Sequence, residues 1–141
     1  MATVQTGKRR ILIVDDEPAV LALLRRILST EDAEILAVRS GARALEIARQ
    51  TRLDLVMLDV RLPDVSGLEV LKRVRRIDGM LPVIMVTAYG SAETVRASMR
   101  LGAFDYLTKP FDNQEVRRIA REALTSRARR LVPSETYRGA V

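Results

Sequence analysis

The sequence predicts an α/β fold in which one parallel β-sheet carries helices on both faces. Five short apolar runs, rich in Val, Ile and Leu, have the length and composition of strands that are buried on both sides. Each run is followed by a stretch whose apolar residues recur at helical spacing. Because strict strand–helix alternation produces parallel sheets, we predict a single doubly wound domain, and a chain of 141 residues suits one.

The predicted strands end where polar or turn-forming residues interrupt the apolar runs. They cover residues 10–14, 33–38, 54–59, 82–87 and 104–108. The third is the most informative, because its apolar run stops abruptly at Asp59 and a Pro-containing turn follows. Taken alone, Asp59 can equally be a strand end or a helix cap, so its role depends on the other strand ends.

Capping and stop signals delimit five helices. Pro18 suits the first turn of the first helix, and Gly102 suits the end of the fourth. Asp112 is expected to cap the fifth helix, which we expect to leave the domain near Arg127, where the apolar stripe stops. Serines that can cap precede the second, third and fourth helices: Ser40, Ser66 (with Glu69 at capping-box spacing) and Ser91.

The two ends of the chain fall outside the alternating pattern. We expect residues 1–9 to be a flexible N-terminus, residues 10–125 to be the folded domain, and residues 126–141 to be a basic C-terminal tail or linker. This tail carries four arginines against Glu135, which is half of the net charge of +6. Because no stripe of basic residues is interleaved with aromatic ones, we expect no direct nucleic-acid binding.

The residue types that the chain lacks exclude several functions. There is no Cys, which excludes disulfides and thiolate metal sites, and there is no His, which excludes an imidazole base or a phosphohistidine on this chain. The N-terminus has no apolar segment typical of a signal peptide, and no apolar run approaches a membrane span. We therefore expect a cytoplasmic location without membrane association.

Polar side chains at four strand ends are predicted to meet at one edge of the sheet. In a flavodoxin-like strand order, 2-1-3-4-5, the first and third strands are neighbours, so Asp15, Asp16 and Asp59 would lie together. Thr87 and Lys109 would follow on the next two strands. Three clustered carboxylates repel one another, and the positive charge that offsets them can come from Lys109 and a divalent metal. Oxygen ligands of this kind favour Mg²⁺, with Mn²⁺ as a substitute.

A carboxylate in this setting can act as a nucleophile on phosphorus. Asp59 would form an aspartyl-phosphate, while the metal and Lys109 stabilise the phosphoryl oxygens and Thr87 offers a hydroxyl group. The alternative for Lys109 is a purely structural ion pair with one of the aspartates.

From about residue 10 to residue 124 the chain resembles the receiver domains of two-component response regulators. The matches follow the family's order and roughly its spacing: Asp15-Asp16, Asp59, Pro63, Gly67, Thr87-Ala88 and Lys109-Pro110. Residues 87–90 and 102–111 are especially similar to receivers of the nitrogen-regulation (sigma-54 activator) type, in which an ATPase and a DNA-binding domain follow. This chain contains neither, so the resemblance implies a free-standing receiver or one excised from a transcriptional regulator.

The resemblance implies roles for the acidic residues and a set of partners. Asp59 would accept phosphate from the phosphohistidine of a sensor histidine kinase or a phosphotransfer protein. Asp16 and Asp59 would bind Mg²⁺ directly, Asp15 through water, and the Arg61 carbonyl would be a further ligand. Such a domain is not an enzyme beyond catalysing its own phosphorylation and dephosphorylation.

The resemblance also implies a conformational output. Thr87 and Tyr106 would form a switch that alters the face of the fourth helix, fifth strand and fifth helix, through which a phosphorylation-dependent homodimer would form. The Lys109–Pro110 bond would be cis. Arg61 and Tyr89 occupy positions that vary in the family and tune phosphate lifetime, in a direction that the sequence leaves open.

Three other functions compete with this interpretation. An FMN-binding module would need a phosphate loop after the first strand, which the acidic run 15–17 opposes. A phosphatase or phosphotransferase would need further acid–base residues or a substrate-binding cap, and neither is evident. A degenerate receiver would bind a protein partner without phosphorylation, and the complete set of acids, Thr and Lys argues against it.

Overall fold

The computed structural model describes residues 8–88 and 90–130, which form five strands and five helices in strict alternation. The strands are β1 (Arg9–Val14), β2 (Ala33–Val38), β3 (Leu55–Asp59), β4 (Val83–Thr87) and β5 (Asp105–Thr108). The helices are α1 (Pro18–Leu28), α2 (Gly41–Gln50), α3 (Gly67–Ile77), α4 (Ala92–Arg100) and α5 (Asn113–Arg130).

The strands form one parallel sheet in the order β2-β1-β3-β4-β5. This confirms the predicted fold class and strand order. The strand order reverses between β1 and β3, so the two neighbouring strands send their following helices to opposite faces of the sheet. A crevice at the carboxyl ends of these strands is where such sheets hold their functional groups.

Alternate residues of the central strands supply two separate cores, one on each face of the sheet. On one face Ile11, Met57 and Ile84 pack with apolar residues of α1 and α5. On the other face Leu12 and Leu58 pack with apolar residues of α2 and α3. The central strands are buried on both sides, which explains why their sequences are continuous apolar runs rather than alternating ones.

The predicted caps are present. The hydroxyl groups of Ser40, Ser66 and Ser91 each accept a hydrogen bond from a backbone N–H in the first turn of the following helix. The capping box at Ser66 is incomplete, because the Glu69 carboxylate instead accepts from Arg73 one turn further along α3. Gly102 has a φ of 95°, the left-handed conformation that its position after α4 predicted.

The prediction that the last helix leaves the domain near Arg127 is wrong. Helix α5 continues to Arg130, and the Arg127 side chain is 5% exposed. Its guanidinium donates to the Leu53 carbonyl at 3.0 Å and to the Asp78 carboxylate at 2.7 Å. The predicted division of the chain into 1–9, 10–125 and 126–141 otherwise stays a prediction, and residues 1–7 and 131–141 lie outside the described residues.

Candidate functional site

Four strands deliver polar side chains to one edge of the sheet. Asp15 directly follows β1, Asp59 and Thr87 are the last residues of β3 and β4, and Lys109 directly follows β5. Backbone pairing fixes their relative positions, since Asp59 is in register with Val86 and the Lys109 N–H donates to the Thr87 carbonyl at 2.8 Å. The strand-end positions inferred from the sequence therefore meet in space.

The Lys109 ammonium lies among three carboxylates. Its Nζ is 2.8 Å from Asp15 Oδ2, 3.3 Å from Glu17 Oε1 and 3.4 Å from Asp59 Oδ2. The Lys109 side chain is 14% exposed, and those of Asp15 and Asp59 are more deeply buried. The predicted opposition of Lys109 to the acidic pair is present, and Glu17 is an additional partner that was not predicted.

Backbone N–H groups hold the two buried aspartates in place. The Glu17 N–H donates to Asp15 Oδ1 at 2.9 Å, and the Arg61 N–H donates to Asp59 Oδ1 at 3.1 Å. Each aspartate thus has one oxygen fixed by the loop that follows its own strand, and its other oxygen directed at Lys109. This arrangement orients the carboxylates without neutralising them.

The pocket perturbs the ionisation of its members. Burial raises the pKa of Asp59, and the Asp15 charge raises it further, against the opposing effects of the Arg61 N–H and the Lys109 ammonium. Burial alone would lower the pKa of Lys109, but the 2.8 Å contact with Asp15 and the charges of Asp59 and Asp15 raise it overall. The lysine is therefore held in its charged form, and the pKa of Asp59 lies above its usual range.

The donor set fits a small hard cation. Among residues 8–88 and 90–130, Asp15, Asp16 and Glu17 form one group whose carboxylate oxygens lie within 4.8 Å of one another. Asp15 Oδ2 is buried and meets no hydrogen-bond donor of suitable geometry, although Lys109 Nζ is 2.8 Å away. Oxygen ligands with excess negative charge are what Mg²⁺ or Mn²⁺ takes. Asp59 stands outside this group of three and is joined to it through Lys109.

The loop after β3 is fixed by close packing of α3. The Gly67 N–H donates to the Val60 carbonyl at 2.7 Å, and a Cβ on Gly67 would collide with the Asp59 backbone. The same loop binds α2, because the Asp64 carboxylate accepts from the N–H groups of Gly41 and Ala42 at 2.9 Å. These N–H groups hold the pKa of Asp64 below its usual range.

The two predicted switch residues occupy adjacent strands. Thr87 is buried at the end of β4, and Tyr106 on β5, in register with Met85, is 39% exposed. The Lys109–Pro110 peptide bond is cis, as predicted. Tyr89, which together with Arg61 was expected to tune the phosphate lifetime, lies outside the described residues.

Two contacts near the site were not predicted from the sequence. The Arg39 guanidinium donates twice to the Asp16 carbonyl, at 3.2 and 3.0 Å, and links the loops after β1 and β2. Glu17 reaches Lys109 across 92 positions of sequence. The acidic run 15–17 was a signal for Glu17, whereas nothing local indicates that Arg39 turns toward a neighbouring loop.

Comparison with known families identifies this arrangement. The family described as the response regulator receiver domain matches residues 11–121. The chain therefore belongs to the receiver domain family of response regulators, which confirms the resemblance inferred from its motifs. Members of this family act as phosphoacceptor signalling domains in two-component systems.

Among its curated relatives is the sporulation initiation phosphotransferase F of Bacillus subtilis (strain 168). It is 40% identical over 108 residues, covering 77% of this chain and 87% of the relative. The regulatory protein AtoC of Escherichia coli (strain K12) is 39% identical over 119 residues, covering 84% of this chain but 26% of the relative. The chain thus spans most of one relative and about a quarter of the other.

Solved structures agree with the fold. The receiver domain protein (CheY-like) of Methanospirillum hungatei JF-1 superposes with a TM-score of 0.84 at 30% identity, covering 88% of this chain and 99% of that one. In the described residues no helix is both long enough and apolar enough to cross a membrane.

Proposed function

We propose that Asp59 is the phosphoacceptor of this receiver domain. The observation that supports the proposal is the position of Lys109, whose ammonium lies 3.4 Å from Asp59 Oδ2 and 2.8 Å from Asp15 Oδ2. A fixed cation beside a carboxylate at a strand end can stabilise the charge of a phosphoryl group as it arrives. The donor is the phosphohistidine of a sensor histidine kinase or a phosphotransfer protein. Phosphohistidine donors are made from cytoplasmic ATP, so the proposal places this chain in the cytoplasm.

The transfer needs no proton at Asp59. A carboxylate oxygen of Asp59 forms the bond to phosphorus while the phosphorus–nitrogen bond of the donor breaks and the imidazole nitrogen keeps the electron pair. The Arg61 N–H orients Asp59 by binding Oδ1. Lys109 and the Thr87 hydroxyl each bind a phosphoryl oxygen. The chain catalyses its own phosphorylation in this way. Its own dephosphorylation is the only other reaction that it catalyses.

A bound Mg²⁺ supplies positive charge to the phosphoryl oxygens. Asp16 and Asp59 would hold it directly and Asp15 through water, with the Arg61 carbonyl as a further ligand. The cluster of carboxylate oxygens at residues 15–17 supports this assignment. Mn²⁺ can take the same place because it accepts the same oxygen ligands.

Phosphorylation is read out through Thr87 and Tyr106. Thr87 moves toward the phosphoryl group, and Tyr106 turns from its exposed position into the space that Thr87 leaves. The two residues stand on neighbouring strands, which supports a coupled movement. The resulting change in the face of α4, β5 and α5 promotes homodimerisation, which light scattering of the phosphorylated chain would detect as a doubled mass.

The test is labelling of the full chain by acetyl phosphate with Mg²⁺. We expect one phosphate per chain, labile to base and dependent on the metal. In Asp59→Asn the label should be absent, while Asp54→Asn, which lies just before the opposite end of β3, should keep it. Label that persists in Asp59→Asn at the level of the parent would refute the assignment.

A further inference from the structure

Glu17 stands between the acidic pocket and solvent without a capping role. It is the residue before α1, whose first position is Pro18, and its side chain makes no capping hydrogen bond. Its backbone is nevertheless fixed, since its N–H donates to Asp15 and its carbonyl accepts from Val20 and Leu21. The side chain is therefore anchored at the rim and free to extend.

The Glu17 carboxylate extends toward Lys109. Its Oε1 lies 3.3 Å from Nζ, and 63% of the side chain is exposed. An ammonium group has three N–H donors, and here three carboxylates lie within ion-pair distance of it: Asp15, Glu17 and Asp59. In the structure the ammonium donates to Glu17 and to Asp59, so a phosphoryl oxygen has to compete with Glu17 for Lys109.

Glu17 is the carboxylate that can leave at the lowest cost. Asp15 is buried, with Oδ1 bound by the Glu17 N–H and Oδ2 2.8 Å from Lys109 Nζ, and Asp59 receives the phosphoryl group itself. Glu17 is exposed, so water replaces its contact to Lys109 when it withdraws, and exposed ion pairs contribute little to stability. The Glu17 carboxylate therefore moves away from Lys109 when the domain is phosphorylated.

We propose that Glu17 is a positioning residue that slows phosphorylation by occupying Lys109 in the unphosphorylated domain. This inference rests on the proposed function of Asp59 and adds a regulatory element to the same site. The contact holds the ammonium away from the arriving phosphoryl group, and breaking it is part of the activation barrier. The proximity of Glu17 to Asp15 and Asp16 suggests the opposite role, a metal ligand that promotes the reaction, and the two roles predict rate changes of opposite sign.

Two substitutions separate the effect of the Glu17–Lys109 contact from the effect of the Glu17 charge. Glu17→Gln keeps the length of the side chain and removes the charge, whereas Glu17→Asp keeps the charge and is too short to maintain the 3.3 Å contact. Glu34→Gln is the matched control, because Glu34 is an exposed acid paired with Arg10 at the far end of the sheet. Rates of labelling by acetyl phosphate are measured at saturating Mg²⁺ over a range of donor concentrations.

We expect both Glu17 variants to raise the maximal labelling rate by about two- to fivefold, the range set by an exposed ion pair. Glu34→Gln should leave it unchanged. A slower Glu17→Gln would assign Glu17 to the metal and overturn the inference. A higher labelling rate in Glu17→Gln but not in Glu17→Asp, seen in the dependence on donor concentration, would show that the Glu17 charge only repels the anionic donor. This result would also overturn the inference.

The outcome also distinguishes this inference from the proposed function. Labelling that requires Asp59 but proceeds at the parent rate in both Glu17 variants refutes the role of Glu17 alone. Labelling that does not require Asp59, or no labelling of the parent chain, refutes both.

Discussion

At the scale of single residues, the burial of the Asp59 carboxylate is expected to oppose folding. Its carboxylate is buried beside Asp15, and Lys109 is shared with two other acids. Burial of a charge that is incompletely paired opposes folding, and the raised pKa of Asp59 is the same effect expressed as proton affinity. On the proposed function, the domain keeps this carboxylate for its reactivity although its burial opposes folding.

We predict that Asp59→Asn raises the free energy of unfolding at pH 7 in the absence of divalent metal. In the parent, the folded-state pKa of Asp59 lies above its unfolded value of about 3.9, so the folded state binds more protons between the two values. Stability of the parent consequently falls as pH rises through this interval. The advantage of the variant should be small near pH 4, grow as pH rises and then level off.

Urea unfolding followed by circular dichroism at several pH values measures this difference, and Glu34→Gln controls for the loss of an exposed charge. A variant that is less stable than its parent at pH 7, or whose advantage grows toward acid pH, would contradict the electrostatic explanation.

At the scale of elements, α5 is attached to the domain by a polar contact at its C-terminal end. The Arg127 guanidinium binds the Leu53 carbonyl and the Asp78 carboxylate, with Asp54 3.9 Å away. Although partial burial raises the pKa of Asp78, hydrogen bonds from Arg127 and Met80 outweigh it and lower that pKa. The contact joins α5 to the start of β3 and the end of α3.

We predict that Arg127→Met lowers the free energy of unfolding by about 1–3 kcal/mol, because the Leu53 carbonyl and a carboxylate lose their hydrogen-bond donor. Arg129→Met is the matched control, since Arg129 is exposed on the same helix, and it should change stability by less than about 0.5 kcal/mol. Urea unfolding gives both values. Equal effects of the two substitutions would show that the buried contact contributes nothing specific.

The elements could be predicted wherever the signal is local. Strands buried on both faces are continuous apolar runs, and the caps at Ser40 and Ser91 act on N–H groups within the next turn. Arg127 was misjudged because a charged residue in an apolar stripe normally marks the solvent side. Its long side chain is instead buried to reach partners 49 and 74 positions away, a pairing that no local pattern contains.

The residues of the candidate site could be predicted where they lie at strand ends, and the contacts between loops could not. Asp15, Asp59, Thr87 and Lys109 follow apolar runs directly, and parallel strands bring such positions to one edge. The contacts of Glu17 with Lys109 and of Asp64 with the start of α2 depend on how loops cross one another. Loop conformations of this kind are not specified by periodicity, so these residues were identified only in the structure.

At the scale of the whole molecule, the two ends of the sheet differ in how their charges are balanced. At the amino ends of the strands, Arg127 compensates Asp78 and Asp54. At the carboxyl ends, Asp15, Glu17 and Asp59 share Lys109, and Asp16 adds a fourth acid. We therefore expect the first end to stabilise the domain and the second end to gain stability when a further cation binds.

We predict that Mg²⁺ stabilises the parent domain and has little effect on Asp16→Ala. Binding to the folded state alone contributes about 1.4 kcal/mol at ten times the dissociation constant. Without metal, Asp16→Ala should be at least as stable as the parent, because one repelling carboxylate is gone, yet it should not be labelled by acetyl phosphate. Urea unfolding with Mg²⁺ and after chelation measures the effect. An equal gain in parent and variant would exclude Asp16 as a ligand.

The late position of α5 in the chain has a consequence for synthesis. Its residues Val116, Ile119, Ala120, Ala123 and Leu124 cover the sheet face that Ile11 and Met57 line. A ribosome adds about 5–20 residues per second, so the part of this face that α5 covers stays exposed for seconds after its strands have been made. The nascent chain therefore exposes apolar surface to chaperones and to neighbouring nascent chains until α5 has left the exit tunnel.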